Sequence, residues 1–235
     1  MTSWGRWKSK GDKGFLRDNG LTVFFGTIFL LALLGQALTG HRLYNDEQVT
    51  DGLEQVSLLR YLTSSEFAVD VTENWQSEYL QFLLYIIATV WLVQRGSSES
   101  KQLDKIGTES DKDQMVGEYA REDSPAWANL GGLRLSVYSR SLGLTMGLIF
   151  LLSWVAQSIS GQSAYNEGQL AQLQEPISWV GYLSSAEFWN RTLQNWQSEF
   201  LAVASMVVLS IYLRQRGSPE SKPVGAPHSS TGLEG

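Results

Sequence analysis

The sequence predicts an all-α integral membrane protein. Its form is a four-helix bundle from two tandem parallel repeats, each with an outer interfacial segment and a long second helix. Three observations predict it. Asn74-Trp75-Gln76-Ser77-Glu78 returns 121 residues on as Asn195-Trp196-Gln197-Ser198-Glu199, and Gln94-Arg95-Gly96-Ser97 returns at the same interval as Gln215-Arg216-Gly217-Ser218. The offset holds without a gap from Ile28 to Lys101, with about four positions in ten identical, so one structural unit occurs twice. Residues 20–40 and 142–161 contain no charge, and each run is long enough to cross a hydrocarbon core about 30 Å thick. No glycine or proline interrupts the chain from Glu66 to Gly96 or from Glu187 to Gly217, which predicts a helix of about 30 residues, roughly 45 Å, in each copy.

These observations divide the chain into a basic N-terminus (1–19), repeat 1 (20–101), a linker (102–133), repeat 2 (134–217) and a tail (218–235). Spans fall at about 20–40, 75–94, 142–161 and 196–215. The second and fourth contain shorter apolar runs, Tyr79 to Val93 and Phe200 to Leu213, and are read as spans because each follows a longer one in its copy. The first span resembles a secretion signal in its flanks, but its twin lies mid-chain, so both read as retained helices. The linker, with mixed charge and few apolar residues, reads as a flexible or partly helical connector, and the Pro, Ser and Gly of the tail read as disorder.

Basic residues set the orientation. Arg6, Lys8, Lys10, Lys13 and Arg17 precede the first span, Arg95 and Lys101 follow the second, Arg134 and Arg140 precede the third, and Arg214, Arg216 and Lys222 follow the fourth. Arg42, Arg60 and Arg191 are the main cations of the other two connections. The positive-inside rule therefore makes both termini and the linker cytoplasmic. Both copies enter the membrane in one direction, as parallel repeats related by an axis along the membrane normal.

Several side chains are candidates for polar contact or binding. Ala32, Gln36 and Gly40 share a helix face, as do Ser153, Gln157 and Gly161; small residues let helices approach, and the Gln36 and Gln157 amides seek partners near the pseudo-axis. Tyr44-Asn45 and Tyr165-Asn166 follow the first span of each copy, where tyrosine anchors at headgroup level and asparagine serves a turn or cap. Val56 to Leu62 and Ile177 to Leu183 read as short helices lying in the interface. Thr63 with Glu66 and Ser184 with Glu187 fit the capping box, which gives both glutamates a structural task. Phe67, Val71 and Trp75, with Phe188 and Trp196 in the second copy, form the packing stripe of the outer part of the long helix. Asn74, Trp75 and Glu78, with Asn195, Trp196 and Glu199, sit where that helix meets the membrane, and the glutamates lie at the hydrocarbon edge, facing either headgroups or a cavity.

The chain has no cysteine and two histidines, His41 and His228, so thiolate chemistry is excluded and neither a haem nor a zinc site is expected. No phosphate-binding glycine loop and no nucleophile with a histidine base is present, and neither a cofactor, a metal nor nucleic acid is expected.

The arrays F-L-R-x-N-G-L from Phe15, G-Q-A-L-T-G-H, Y-N-D-E-Q, the twin N-W-Q-S-E and R-Q-R-G-S-P-E-S-K-P-V-G-A-P-H to His228 resemble the bacterial domain-of-unknown-function 6766 family. The resemblance implies a bacterial inner-membrane protein and supplies no reaction, substrate or partner. The sequence thus predicts a non-enzymatic structural or accessory protein whose outer aromatic and acidic face binds membrane lipid, another membrane protein or a second copy. The alternative is a small-solute or ion transporter or channel.

Overall fold

The structure is a computed structural model that describes residues 14–233. Among them are eight α-helices and no strand, and two helices, Gly20–Thr50 and Ser141–Ala171, are long and apolar enough to cross a membrane. Most of the basic N-terminus, with Arg6, Lys8, Lys10 and Lys13, lies outside the described residues. The chain forms two compact units, Met1–Phe67 and Ala68–Gly235.

The first unit contains α1 (Phe15–Asp18), α2 (Gly20–Thr50), α3 (Leu58–Leu62) and the start of α4 (Ser65–Trp91). Helix α2 continues well past the apolar run, so Tyr44 and Asn45 ride on the helix rather than in a connection. Nothing between Gly40 and Thr50 breaks it, and it stops at Gly52, whose φ of 75° lies in the left-handed region. Asn45 then clamps the returning chain. Its Oδ1 accepts from the Val56 N–H at 2.8 Å and its Nδ2 donates to the Val56 carbonyl at 3.1 Å. Gly40, expected at an approach between long helices, instead faces the buried Tyr61 of α3, whose phenol occupies the space where a Cβ would stand. Tyr44 and Phe67 pack on the same ring, 5.6 Å and 5.4 Å away between centroids.

The second unit contains the rest of α4, three 3-10 turns (Leu103–Lys105, Gly117–Tyr119, Ala126–Asn129), α5 (Gly132–Tyr138), α6 (Ser141–Ala171), α7 (Trp179–Leu183) and α8 (Ala186–Tyr212). The contacts of the first unit recur there 121 residues on. Asn166 bonds both backbone groups of Ile177 at 2.9 Å and 3.0 Å, Tyr182 fills the space beside Gly161, and Tyr165 and Phe188 pack on Tyr182. Trp154 of α6 is the centre of the aromatic core, with Phe150 at 5.5 Å, Trp196 at 6.0 Å, and Phe188 and Trp189 at 6.2 Å. Gly147 brings α6 against Leu83 of α4.

Four predicted details are corrected. The caps of the long helices are Ser64 and Ser185, which accept from the Phe67 and Phe188 N–H groups at 3.3 Å and 3.2 Å, one residue after Thr63 and Ser184. Thr63 and Ser184 instead donate to carbonyls at the end of the preceding short helix, Leu59 and Arg60 in one case and Val180 in the other. Glu66 and Glu187 are consequently one residue too early to close a capping box, and Glu187 pairs with Arg191 at 3.0 Å. The buried stripe of α4 runs through Val69, Gln76, Ser77 and Leu80 rather than Phe67, Val71 and Trp75, because Phe67 is taken up by Tyr61 and the Gln76 amide turns inward to a partner.

The long helices also stop short of the expected glycines. Helices α4 and α8 end at Trp91 and Tyr212, and Gly96 and Gly217 close turns further on, with φ of 89° and 80°. The tail is the fourth correction. Lys222, fully buried, donates to the carbonyls of Gly96, His228 and Ser230, the last two at 3.0 Å and 3.1 Å, and the Pro227 carbonyl shares one of these hydrogens at 3.4 Å. Gly96 N–H donates to Thr231 Oγ1 at 2.9 Å, and Gly232 N–H to the Ser97 carbonyl at 3.0 Å. Composition suggests disorder because the segment has little to bury, but one ammonium with three donors supplies the missing partner. Lys222→Ala is expected to cost about 2 kcal/mol or more, since a buried charged hydrogen-bond network is lost, and to make the bonds after Pro223 protease-sensitive; limited proteolysis followed by mass spectrometry reads both.

Candidate functional site

The second unit holds most of the sequence-predicted candidates. Asn74 and Asn195 each donate to a carbonyl four residues back in their own helix, Asp70 at 2.7 Å and Arg191 at 3.0 Å, and Asn195 also bonds the Glu73 carboxyl of α4. Ser77 and Ser198 likewise donate to the Asn74 and Asn195 carbonyls at 2.8 Å and 2.9 Å. The twin tryptophans diverge. Trp196 Nε1 donates to Gln76 Oε1 at 2.8 Å, and Gln76 Nε2 donates to the Glu73 carbonyl at 3.0 Å, so the fully buried amide is satisfied at both ends. Trp75, its repeat counterpart, is 42% exposed.

This difference predicts an asymmetric mutational response. Trp196→Phe keeps an aromatic ring but strands a buried carbonyl oxygen and is expected to cost about 1–3 kcal/mol, whereas Trp75→Phe should change stability by less than about 0.5 kcal/mol. Denaturation of both variants in the same micelle decides it; equal losses would contradict the assigned roles.

One cation ties the two long helices together at this end. Arg191 of α8 lies 3.1 Å from Glu73 and 3.8 Å from Asp70 on α4, and 3.0 Å from Glu187 on its own helix. Asp70 and Arg191 are themselves 121 positions apart, so one site of the repeat carries opposite charges in its two copies and the two form a pair. Desolvation by burial holds the carboxyls of Asp70 and Glu73 above their ordinary range, and Arg191 opposes that shift. Counted with the charges near the span ends, Arg191 stands only as an outer cation. Its role is legible instead in the divergence at this position, where Asp in one copy is answered by Arg in the other.

Further along α4 and α8, Glu78 is exposed and Glu199 half-buried. In α6, Ser153, Gln157 and Gly161 are all buried, and neither amide atom of Gln157 has a hydrogen-bond partner. Thr192 of α8, also fully buried, leaves its hydroxyl unpartnered, as Trp154 does its indole N–H. Thr192 stands one turn from both Phe188 and Trp196, the rings that flank Trp154, while Gln157 is three residues along α6 from Trp154. Several hydrogen-bonding groups therefore line one apolar interior, where an unmet group costs about 1–3 kcal/mol. Gln36 is half-buried on α2. Tyr44, Asn45, Tyr165 and Asn166 serve the clamps and ring stacks of their own units.

The model of a family described as "Domain of unknown function (DUF6766)" matches residues 12–233. No curated protein and no solved structure matches the chain.

Proposed function

We propose that this chain, which belongs to the DUF6766 family, is a bacterial inner-membrane protein of structural or accessory function, not an enzyme. In this reading the two repeats form a four-helix bundle that crosses four times with both termini cytoplasmic, and the outer aromatic face binds membrane lipid or another membrane protein. Helices α2 and α6 carry exposed apolar side chains along their spans, among them Leu30, Leu31, Leu148 and Leu151, which suits contact with lipid. Helices α4 and α8, 27 residues each, are about 40 Å long, enough to cross with an outer portion to spare.

The observation that carries the binding reading is the exposure of Trp75, Trp179 and Trp189 at 42%, 43% and 41% on the outer part of the second unit. Large aromatic rings left in view beside charged groups are what interfaces and headgroup belts use. Three acids of that face, Asp70, Glu73 and Glu187, are occupied by Arg191, which shifts the weight of recognition from the carboxylates toward the rings. Native mass spectrometry of the protein extracted with its lipids tests this. A stoichiometric lipid or protein partner that Trp75→Ala removes without unfolding supports the reading; a bare chain, or a partner indifferent to Trp75, counts against it.

A transporter or channel is the second reading, and the unpartnered amide of Gln157 with the Thr192 hydroxyl favours it. Polar groups retained inside a membrane bundle mark solute pathways more often than lipid-facing positions do. Glu78→Gln with Glu199→Gln should then change flux into liposomes while the fold persists, and unchanged flux would remove this reading.

A further inference from the structure

The inner end of the repeat, Gln94–Lys101 and Gln215–Lys222, folds alike in both places. The Gln94 and Gln215 N–H groups donate to Ser100 and Ser221 Oγ, both at 2.9 Å, and the Glu99 and Glu220 N–H groups donate to Ser97 and Ser218 Oγ at 3.1 Å and 3.2 Å. In each copy the next lysine turns back onto carbonyls further along the chain. Beyond the two lysines the copies part. After Lys222 the tail wraps the ammonium and seats His228 on α8, with Nδ1 3.0 Å from the Ile211 carbonyl and its ring 5.5 Å from Tyr212. After Lys101 the chain leaves an open cleft of about 540 Å³, lined by Tyr85, Thr89, Glu99, Lys101, Gln102 and Lys105 among others.

The polar lining is particular to the open copy. Tyr85, Gln102 and Lys105 are answered 121 residues on by Met206, Pro223 and Ala226, none of which has a side-chain hydrogen to donate to oxygen. Glu99 Oε2 accepts from Tyr85 Oη at 2.7 Å, which fixes the carboxylate in the cleft and leaves it lone pairs for a cation. Lys101 Nζ spends two of its three donors on the Gly107 carbonyl at 2.9 Å and Glu109 at 3.0 Å, leaving one, and Lys105 is exposed. Ile86 and Val90 of α4 form the apolar wall. Cationic groups for an anion, a carboxylate for a cation and an apolar wall thus meet at the inner end of one long helix.

We propose that this cleft binds the zwitterionic headgroup of an aminophospholipid, with the phosphate against Lys101 and Lys105, the ammonium against Glu99 and the acyl chains running from Ile86 past the exposed Phe82, one turn nearer the bilayer centre. The assignment rests on the reading that α4 crosses the bilayer, because only then do acyl chains run beside it.

The full chain is reconstituted in vesicles of equal parts phosphatidylethanolamine, phosphatidylglycerol and phosphatidylcholine and released into native mass spectrometry. Wild type should retain phosphatidylethanolamine about tenfold over the other two, and Lys105→Ala or Glu99→Gln should each reduce that preference about tenfold, one charge-assisted contact's worth. Glutamine at position 99 still accepts from Tyr85, so loss of the preference there reports charge and not fold. Equal retention of the three lipids, preference for phosphatidylglycerol, indifference to both variants, or binding of soluble glycerophosphoethanolamine with no lipid retained would overturn the assignment. Failure of the chain to enter the vesicles at all would overturn the membrane reading with it, so the two failures are distinguishable.

Discussion

Gly161→Ala is expected to destabilise the second unit by about 1–3 kcal/mol, although alanine in a helix ordinarily gains about 0.5–1 kcal/mol over glycine. A Cβ at position 161 would overlap Tyr182 Oη and stand 3.0 Å from Cζ and 3.1 Å from Cε1. The phenol has little room to yield. Tyr182 is 1% exposed and is held by Tyr165 and Phe188, with ring centroids 5.8 Å and 5.6 Å away. Because the overlap is with the phenol oxygen, Tyr182→Phe should recover part of the loss, and a double-mutant cycle in micelles should give a favourable coupling of about 0.5–2 kcal/mol. Gly40→Ala with Tyr61→Phe should behave alike in the first unit, where the same contact occurs. Additive effects would show that the glycines answer to something other than the tyrosines.

Arg191→Met is expected to cost about 2–3 kcal/mol at neutral pH. It removes the cation shared by Asp70, Glu73 and Glu187 and leaves the first two carboxylates partly desolvated. Their pKa values are already raised by burial in the wild type, with Arg191 pulling them down, so the substitution raises them further. A carboxyl whose folded pKa exceeds its unfolded value binds more protons when folded, so its contribution to stability falls as pH rises through the folded pKa. The variant should therefore regain stability as the pH is lowered from neutral into the raised carboxylate range, and it should begin to do so at higher pH than wild type. Unfolding midpoints of both proteins against pH measure this directly; parallel curves would contradict it.

The helical content and the positions of the long helices are legible in charge-free runs and in the absence of glycine and proline. Helix ends are not. Thr63 and Ser64 are both hydroxyl residues before Glu66, and only the fold decides that Ser64 caps α4 while Thr63 closes α3. Asn45 looks like a turn residue because asparagine is common there, yet it acts from inside a helix on a backbone 11 residues away. Helix periodicity gives the wrong stripe for α4, since it ranks Trp75 above Gln76, and a buried amide depends on a partner from another helix that no local pattern contains. The Lys222 clasp is invisible to composition for the same reason. Of the candidate site, the twin pentapeptide adjoins the Arg191 cluster on both long helices, and the exchange of Asp70 for Arg191 between copies is the legible sign of how these helices join.

The central claim is that both repeats cross the membrane twice in the same direction, and side-specific labelling tests it most directly. The chain has no cysteine, so single cysteines can be placed at the exposed positions 51, 112 and 172 without a background. With an impermeant maleimide on intact cells whose outer barrier has been opened, four spans predict labelling of Asp51→Cys and Gln172→Cys and none of Lys112→Cys. If only α2 and α6 crossed, positions 51 and 172 would fall on opposite sides, and that result would contradict the four-span topology.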